Sequence, residues 1–195
     1  ASANFQSAAV RADGMLIPNL HKAQFVSGHC KTTTKTNNLH MTDIKYHIIK
    51  PDDNENIELI ADWYLSEWNI PIQTTIEKTQ KLSVDNFEFQ ILMTLDNKPI
   101  ATGGLYNHVG LLDKVPRLKT YKNWLALVYT IPDNRGKGLG ALICNHIQDH
   151  SKNLGLKDIY LFTHSAENLY KRLAWQQLER LALGGKDIVV MKKEL

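Results

Sequence analysis

Only two cysteines occur in the 195 residues, Cys30 and Cys144, so at most one disulfide can form. Cys144 falls in an apolar, periodic stretch where a small buried thiol is expected, and a reducing, cytoplasmic compartment fits better than an oxidising one. No apolar run approaches the roughly 20 residues a bilayer-spanning helix needs, so a soluble domain is expected. An excess of charge is also missing where it would matter. The net charge is +3, yet Arg11, Lys22, Lys31 and Lys35 against Asp13 account for all of it within residues 1–40. Taken from totals of 23 basic and 20 acidic residues, these leave nineteen of each sign in the remainder. A nucleic-acid partner, which needs a concentrated basic face, gains no support. His21, His29, Cys30 and His40 match no zinc spacing, and no metal is expected.

Residues 1–40 also lack sustained periodicity and carry the run Lys31 to Thr36 and the pair Asn37-Asn38. Regular patterning begins at Met41, so 1–40 reads as a leader or appended segment and 41–195 as a single domain. A targeting peptide is the functional alternative for the leader, which is poor in acids and rich in hydroxyls but has Arg11 as its single arginine. With 43% hydrophobic and 22% charged residues, the chain suits one core able to fold alone.

From Met41 the pattern alternates as a strand over Ile44 to Lys50, stopped by Pro51 to Asn54. A helix is expected over Ile57 to Trp68, closed by Pro71, and a second from Thr74 or Thr75 to about Leu82 with a threonine cap. Phe87 to Leu95 and Pro99 to Tyr106 make a hairpin around Asp96-Asn97-Lys98. A loop spans His108 to Lys122. After the strand beginning at Trp124, Leu139, Leu142, Ile143 and Ile147 mark a helix whose apolar stripe faces the sheet, while Asn145, Gln148 and Asp149 face water. Gly155 ends that helix. Lys157 to Thr163 is a strand, Ala166 to Leu173 a short helix, and Trp175 to Leu183 with Lys186 to Lys192 a hairpin whose Gly184-Gly185 supplies positive φ.

The chemistry concentrates between Trp124 and Gln148. A buried strand is punctuated by Pro132, meets Gly136, Gly138 and Gly140, and passes into the helix. Helix N-termini present unpaired N–H groups and partial positive charge, glycine lets an anion approach them, and Arg135 and Lys137 add charge. A pyrophosphate fits such a loop. A magnesium-binding P-loop needs Ser or Thr after its lysine, and Lys137 is followed by Gly138. The dinucleotide fingerprint is nominally met by Gly136, Gly138 and Ala141, with Asp158 beyond. That acid should end the next strand, however, and here it precedes Ile159 to Phe162. Too little chain remains for a doubly wound sheet.

The third pattern, Arg135-Gly136-Lys137-Gly138-Leu139-Gly140 after a strand ending in a hydrophobic-x-Pro step, resembles the GNAT superfamily of acyl-CoA-dependent N-acetyltransferases. A second motif carries the same resemblance: Ala166-x-x-Leu169-Tyr170-Lys171-Arg172-Leu173-Ala174-Trp175. The resemblance covers residues 43 to 193. It implies an α+β, three-layer fold with a central mixed, mostly antiparallel sheet splayed at strands 4 and 5 and flanked by about four helices. Acetyl-CoA is implied as co-substrate, without a metal. Its pantetheine would pair with the main chain of Val128, Tyr129 and Thr130. Its phosphates would meet Arg135, Gly136, Lys137, Gly138, Leu139 and Gly140, with Ala141 adjoining. Tyr170 falls where members place the general acid for the departing thiolate, a phenol protonated at neutral pH.

Departures from the pattern are Thr163, where Asn is common and pantetheine is contacted, and Ala174, where Gly is usual. His164 is similar to the branch acting on protein amino termini. Residues 124 to 131 contain no acid or histidine, so a base must come from elsewhere, with His108, Asp113 and Glu67 as candidates. Trp63, Tyr64, Trp68 and Trp124 are candidates to line an acceptor pocket, with Glu67 or Asp62 attracting an amine; the alternative for Trp63, Tyr64 and Trp68, at helical spacing, is core packing. The implied activity is acetyl transfer from acetyl-CoA to a primary amine of a small molecule in a ternary complex. A protein amino-terminal acetyltransferase and a CoA-binding, inactive member are the alternatives, and homodimerisation, common in the superfamily, stays open.

Overall fold

A computed structural model describes residues 43–195 except Val84 and Asn86. The leader reading of 1–40, with Cys30 and the three histidines there, lies outside the described residues. The chain runs β1 (Ile44–Ile48), α1 (Asn54–Trp68), α2 (Ile72–Thr79), β2 (Phe89–Leu95), β3 (Lys98–Tyr106), α3 (Leu111–Lys114), β4 (Trp124–Thr130), α4 (Leu139–Asn153), β5 (Asp158–Thr163), α5 (Glu167–Arg172), β6 (Gln176–Leu183) and β7 (Lys186–Glu194). Seven strands form one sheet in the order β1-β2-β3-β4-β5-β7-β6. All pairs are antiparallel except β4 with β5, the mixed sheet expected from the motifs.

Alternation along the strands assigns the two faces. Ile91 and Met93 of β2 join Ile143, Cys144 and Ile147 of α4 and Tyr170 of α5 in one core, while Leu92 joins Ile57, Ile60 and Tyr64 of α1 in the other. On β4 the alternation breaks. Ala126 and Leu127 are consecutive yet both belong to the α1 face, and Leu127 sits at φ 55°. The register agrees, stepping from Thr102↔Tyr129 to Gly104↔Ala126, so that Leu127 and Val128 stand against Gly103 alone. This is a β-bulge, which bends a strand and increases its local twist. Beyond it β4 leaves β5: the parallel pair shares only Trp124↔Tyr160, supported by Tyr160 N–H to Asn123 O at 3.0 Å.

Several local expectations shift. The first helix begins at Asn54 rather than Ile57, with Asp53 as N-cap, its carboxylate accepting from Asn56 Nδ2 at 2.9 Å. It ends on Asn69 at φ 54°, whose N–H bonds Leu65 O at 2.9 Å. The second helix is entered by Pro71, not by a threonine; Thr75 is buried inside it. Proline's fixed φ suits an entry whose N–H has no helical partner. The 108–122 loop contains α3 and a 3₁₀ turn, Pro116–Thr120. On α4, Leu142 is 40% exposed and Gln148 is buried, reversing their expected sides. Gln148 is accommodated because its Nε2 donates to Cys144 O at 3.1 Å. Gly155 at φ 87° ends α4, and Gly184 and Gly185, both at positive φ, turn the last hairpin, as expected.

Candidate functional site

The opening between β4 and β5 leads to the start of α4. There Gly136 and Gly138 adopt φ 74° and 80°, and a Cβ built on either would meet no atom within 4 Å. Open space therefore lies over the loop, where a side chain would otherwise stand, next to a fifteen-residue helix. Leu139 and Gly140, in its first turn, have no intrahelical acceptor for their N–H groups. The loop thus offers open space beside unpaired N–H donors, the chemistry an anion needs. Lys137 is exposed on it.

Arg135 points the other way. Its Nε donates to Thr130 O at 2.8 Å, its Nη2 meets Glu67 Oε2 at 2.8 Å, and its guanidinium carbon lies 5.3 Å from the centre of the Tyr129 ring. Both ionised side chains are largely shielded, with 20% and 16% of their surface exposed. Trp63 and Trp68 are half-buried around Tyr129, with ring centres 5.4 and 6.2 Å away. The pairing of Glu67 with Arg135, 68 residues apart, joins α1 to the end of β4. Burial holds the Tyr129 phenol above its ordinary value, although Arg135 opposes the shift.

Beneath the bulge lies a buried polar network. Tyr64 Oη donates to Leu127 O at 2.9 Å and accepts from Gln90 Nε2 at 2.8 Å. Gln90 Nε2 also reaches Thr102 Oγ1, Gln90 Oε1 accepts from Tyr106 Oη, and Thr102 Oγ1 donates to Ile91 O at 2.8 Å. Leu127's buried carbonyl is thus satisfied by a side chain instead of a strand. Burial raises the phenols of both Tyr64 and Tyr106, keeping them neutral donors. Tyr64 is a core residue, as the packing alternative held, and Trp124 is fully buried, which removes it from the candidate pocket wall. Gln90 was not singled out, although a lone amide in the apolar run Phe89 to Leu95 signals such a network.

Tyr170 is fully buried against Trp175, ring centres 5.9 Å apart. Burial, and secondly Cys144, hold its phenol well above the usual value. Cys144 itself is a free, buried thiol pushed up to about 12 by burial. Thr163 is buried and holds the turn from β5 into α5: its Oγ1 accepts from the N–H groups of Ser165 at 3.2 Å and Ala166 at 2.9 Å. Of the base candidates, Glu67 is held by Arg135, whereas His108 Nε2 lies 2.9 Å from Asp113 Oδ1 on the surface. His108 borders a cavity of about 180 Å³ between α2, the end of β3 and the bulge. Among the described residues no group of three or more His, Cys, Asp or Glu is placed to hold a metal ion, and no helix is long and apolar enough to cross a membrane.

A mixed sheet that opens beside a bulged central strand, with a glycine loop and helix N-terminus at the mouth, defines the N-acetyltransferase class of α+β folds. The chain belongs to the Acetyltransferase (GNAT) family, whose model matches residues 54–175. None of the curated proteins matches it in sequence. Among solved structures, yncA from Salmonella typhimurium, solved with its cofactor acetyl-CoA, gives a TM-score of 0.58 at 12% identity over 77% of this chain and 93% of that one. Aminoglycoside 6'-N-acetyltransferase from Enterococcus faecium gives 0.61 at 11% identity, over 77% and 96%. Ard1 from Thermoplasma volcanium gives 0.56 at 12%, over 78% and 97%. At such identities the likeness concerns the fold.

Proposed function

We propose that this protein transfers the acetyl group of acetyl-CoA to the primary amine of a small molecule by direct attack in a ternary complex. The observation that carries the reading is the junction of the β4/β5 opening with the glycine loop and α4, in a chain of the GNAT family. Bound acetyl-CoA supplies an already activated thioester. Main-chain groups of Val128, Tyr129 and Thr130 line the opening and orient the pantetheine arm. Gly136, Lys137, Gly138, Leu139, Gly140 and Ala141 receive the diphosphate. Arg135, its charge paired with Glu67, fixes the end of β4 through its bonds to Thr130 and Glu67 and leaves Lys137 as the cation at the loop. Thr163 shapes the far wall by holding the turn from β5 into α5.

Tyr170 holds the proton for the departing thiolate. Its raised pKa keeps it protonated at every working pH, which a donor needs and a base cannot use. Because its ring is fully buried, donation requires its neighbours on the β5 side to separate. The test is thiol release by the purified protein with acetyl-CoA and pooled amines, beside a blank without acceptor. Acceptor-dependent release is expected, and Tyr170→Phe should lower kcat by about 10²-fold with acetyl-CoA affinity unchanged, within the range for a lost general acid. Failure to bind acetyl-CoA would overturn the reading.

A further inference from the structure

We propose that the acceptor is an amine of amino-acid size that also bears a carboxylate, received by Lys78 and Lys81 in the cavity between α2, the end of β3 and the β4 bulge. This rests on the transferase reading above and names its acceptor class. The cavity abuts the chemistry. Its lining includes Ala126 and the bulge residue Leu127, directly before Val128, together with the buried Tyr106. A ligand seated there lies beside the main chain assigned to the thioester.

Size narrows the class. At about 180 Å³ the cavity is smaller than the roughly 300–1,000 Å³ of sites that enclose drug-sized ligands. It does not enclose a multi-ring amine, whereas its volume suits a ligand of amino-acid size. Charge narrows it further. Lys78 in the last turn of α2 and Lys81 in the turn that follows it, whose N–H bonds Lys78 O at 3.2 Å, both line the cavity. Among the described residues neither ammonium has a carboxylate at ion-pair distance. Two unneutralised cations repel a simple amine, which is itself a cation at neutral pH, and attract an anionic group.

The rest of the lining, from the residues around β2 and the end of β3, has the complementary groups. Glu88, whose Oε1 accepts the Asn107 N–H at 2.8 Å, is among the described residues the one carboxylate lining the cavity, and His108, steadied by Asp113, lines it as well. An ammonium therefore finds Glu88 and an imidazole, while its carboxylate finds two lysines. In the transfer, His108 takes a proton from the ammonium and the freed lone pair forms the bond to the acetyl carbon. The carbon–sulfur bond breaks, and the thiolate leaves with its electron pair to be protonated from Tyr170. Loss of the second amine proton to water leaves a neutral amide.

The experiment uses matched triads: an amino acid, its amide and its decarboxylated amine, with aliphatic, aromatic and acidic side chains. Thiol release is followed with the full chain, and acetyl-CoA binding is measured separately by calorimetry. The acid of at least one triad should exceed both counterparts by tenfold or more in kcat/KM. Lys78→Gln and Lys81→Gln, both at exposed positions, should raise KM for the acid about tenfold with kcat little changed, narrowing its advantage over the amine. Equal or better turnover of amides or amines, or an unchanged KM in both lysine variants, would overturn the acceptor class while leaving the transferase intact. So would binding of acetyl-CoA without release from any triad. Absence of acetyl-CoA binding would instead fail the transferase reading itself.

Discussion

Ala174 occupies a position with φ 60°, directly after α5, where its N–H bonds Lys171 O at 3.0 Å. The next residue, Trp175, bonds Tyr170 O at 3.0 Å and packs on that ring. The left-handed turn thus sets the contact that buries Tyr170. An L-residue there costs about 1–2 kcal/mol, and glycine's greater freedom when unfolded returns roughly 0.5–1 of that. Ala174→Gly is expected to stabilise the protein by about 0.5–1 kcal/mol, or roughly 1–4 °C in Tm for a chain of this length. Thermal unfolding checks it; a lower Tm would mean that the alanine methyl packs favourably. Leu127, at φ 55°, differs because its strain is held in place by Tyr64 beneath it.

At the scale of elements, the glycine loop and α4 make a separable prediction. Gly138 precedes α4 at φ 80° with open space where a Cβ would lie. Gly138→Ala therefore clashes with nothing, strains only the local backbone, and places a methyl over the donors meant for phosphate. Acetyl-CoA should bind about tenfold more weakly, a loss of roughly 1.4 kcal/mol, while Tm falls only modestly. Calorimetric titration of the two proteins decides; an unchanged Kd would remove the loop from the cofactor site. The loop was legible because its glycines, charges and flanking strand lie within one short stretch, and the order of strands and helices was legible for the same reason. What was not legible depends on distant partners. Nothing near Arg135 announces Glu67, nothing near Leu127 announces the hydroxyl of Tyr64, and the cavity draws its lining from α2, β3 and β4 at once. Gln148 was placed in water because local periodicity cannot see that Cys144 O would satisfy its amide.

The whole molecule depends on how α4 docks across the first strands, and two histidines lie in that seam. His146 stacks on Tyr46 of β1 with ring centres 3.8 Å apart, and His150 meets Phe89 of β2 edge-on at 4.6 Å. Burial lowers the pKa of both; the neighbouring His150 lowers His146 further, and Asp149 partly opposes it. The Nε2 of His150 is buried and makes no hydrogen bond. The folded protein thus keeps both imidazoles neutral, whereas the unfolded chain takes up protons near its ordinary value of about 6.5. Between that value and the lowered folded ones the unfolded state binds more protons, so stability rises with pH. It is fully present above about pH 7.5 and declines as the pH falls through 6.5. His164, also lowered by burial and by Lys186, acts in the same direction. Tm is therefore expected to fall from pH 8 to pH 5.5. His146→Gln combined with His150→Leu should flatten that slope in part, leaving the share due to His164. A double variant with the full wild-type slope would show that the α4 seam is not where the protons are taken up.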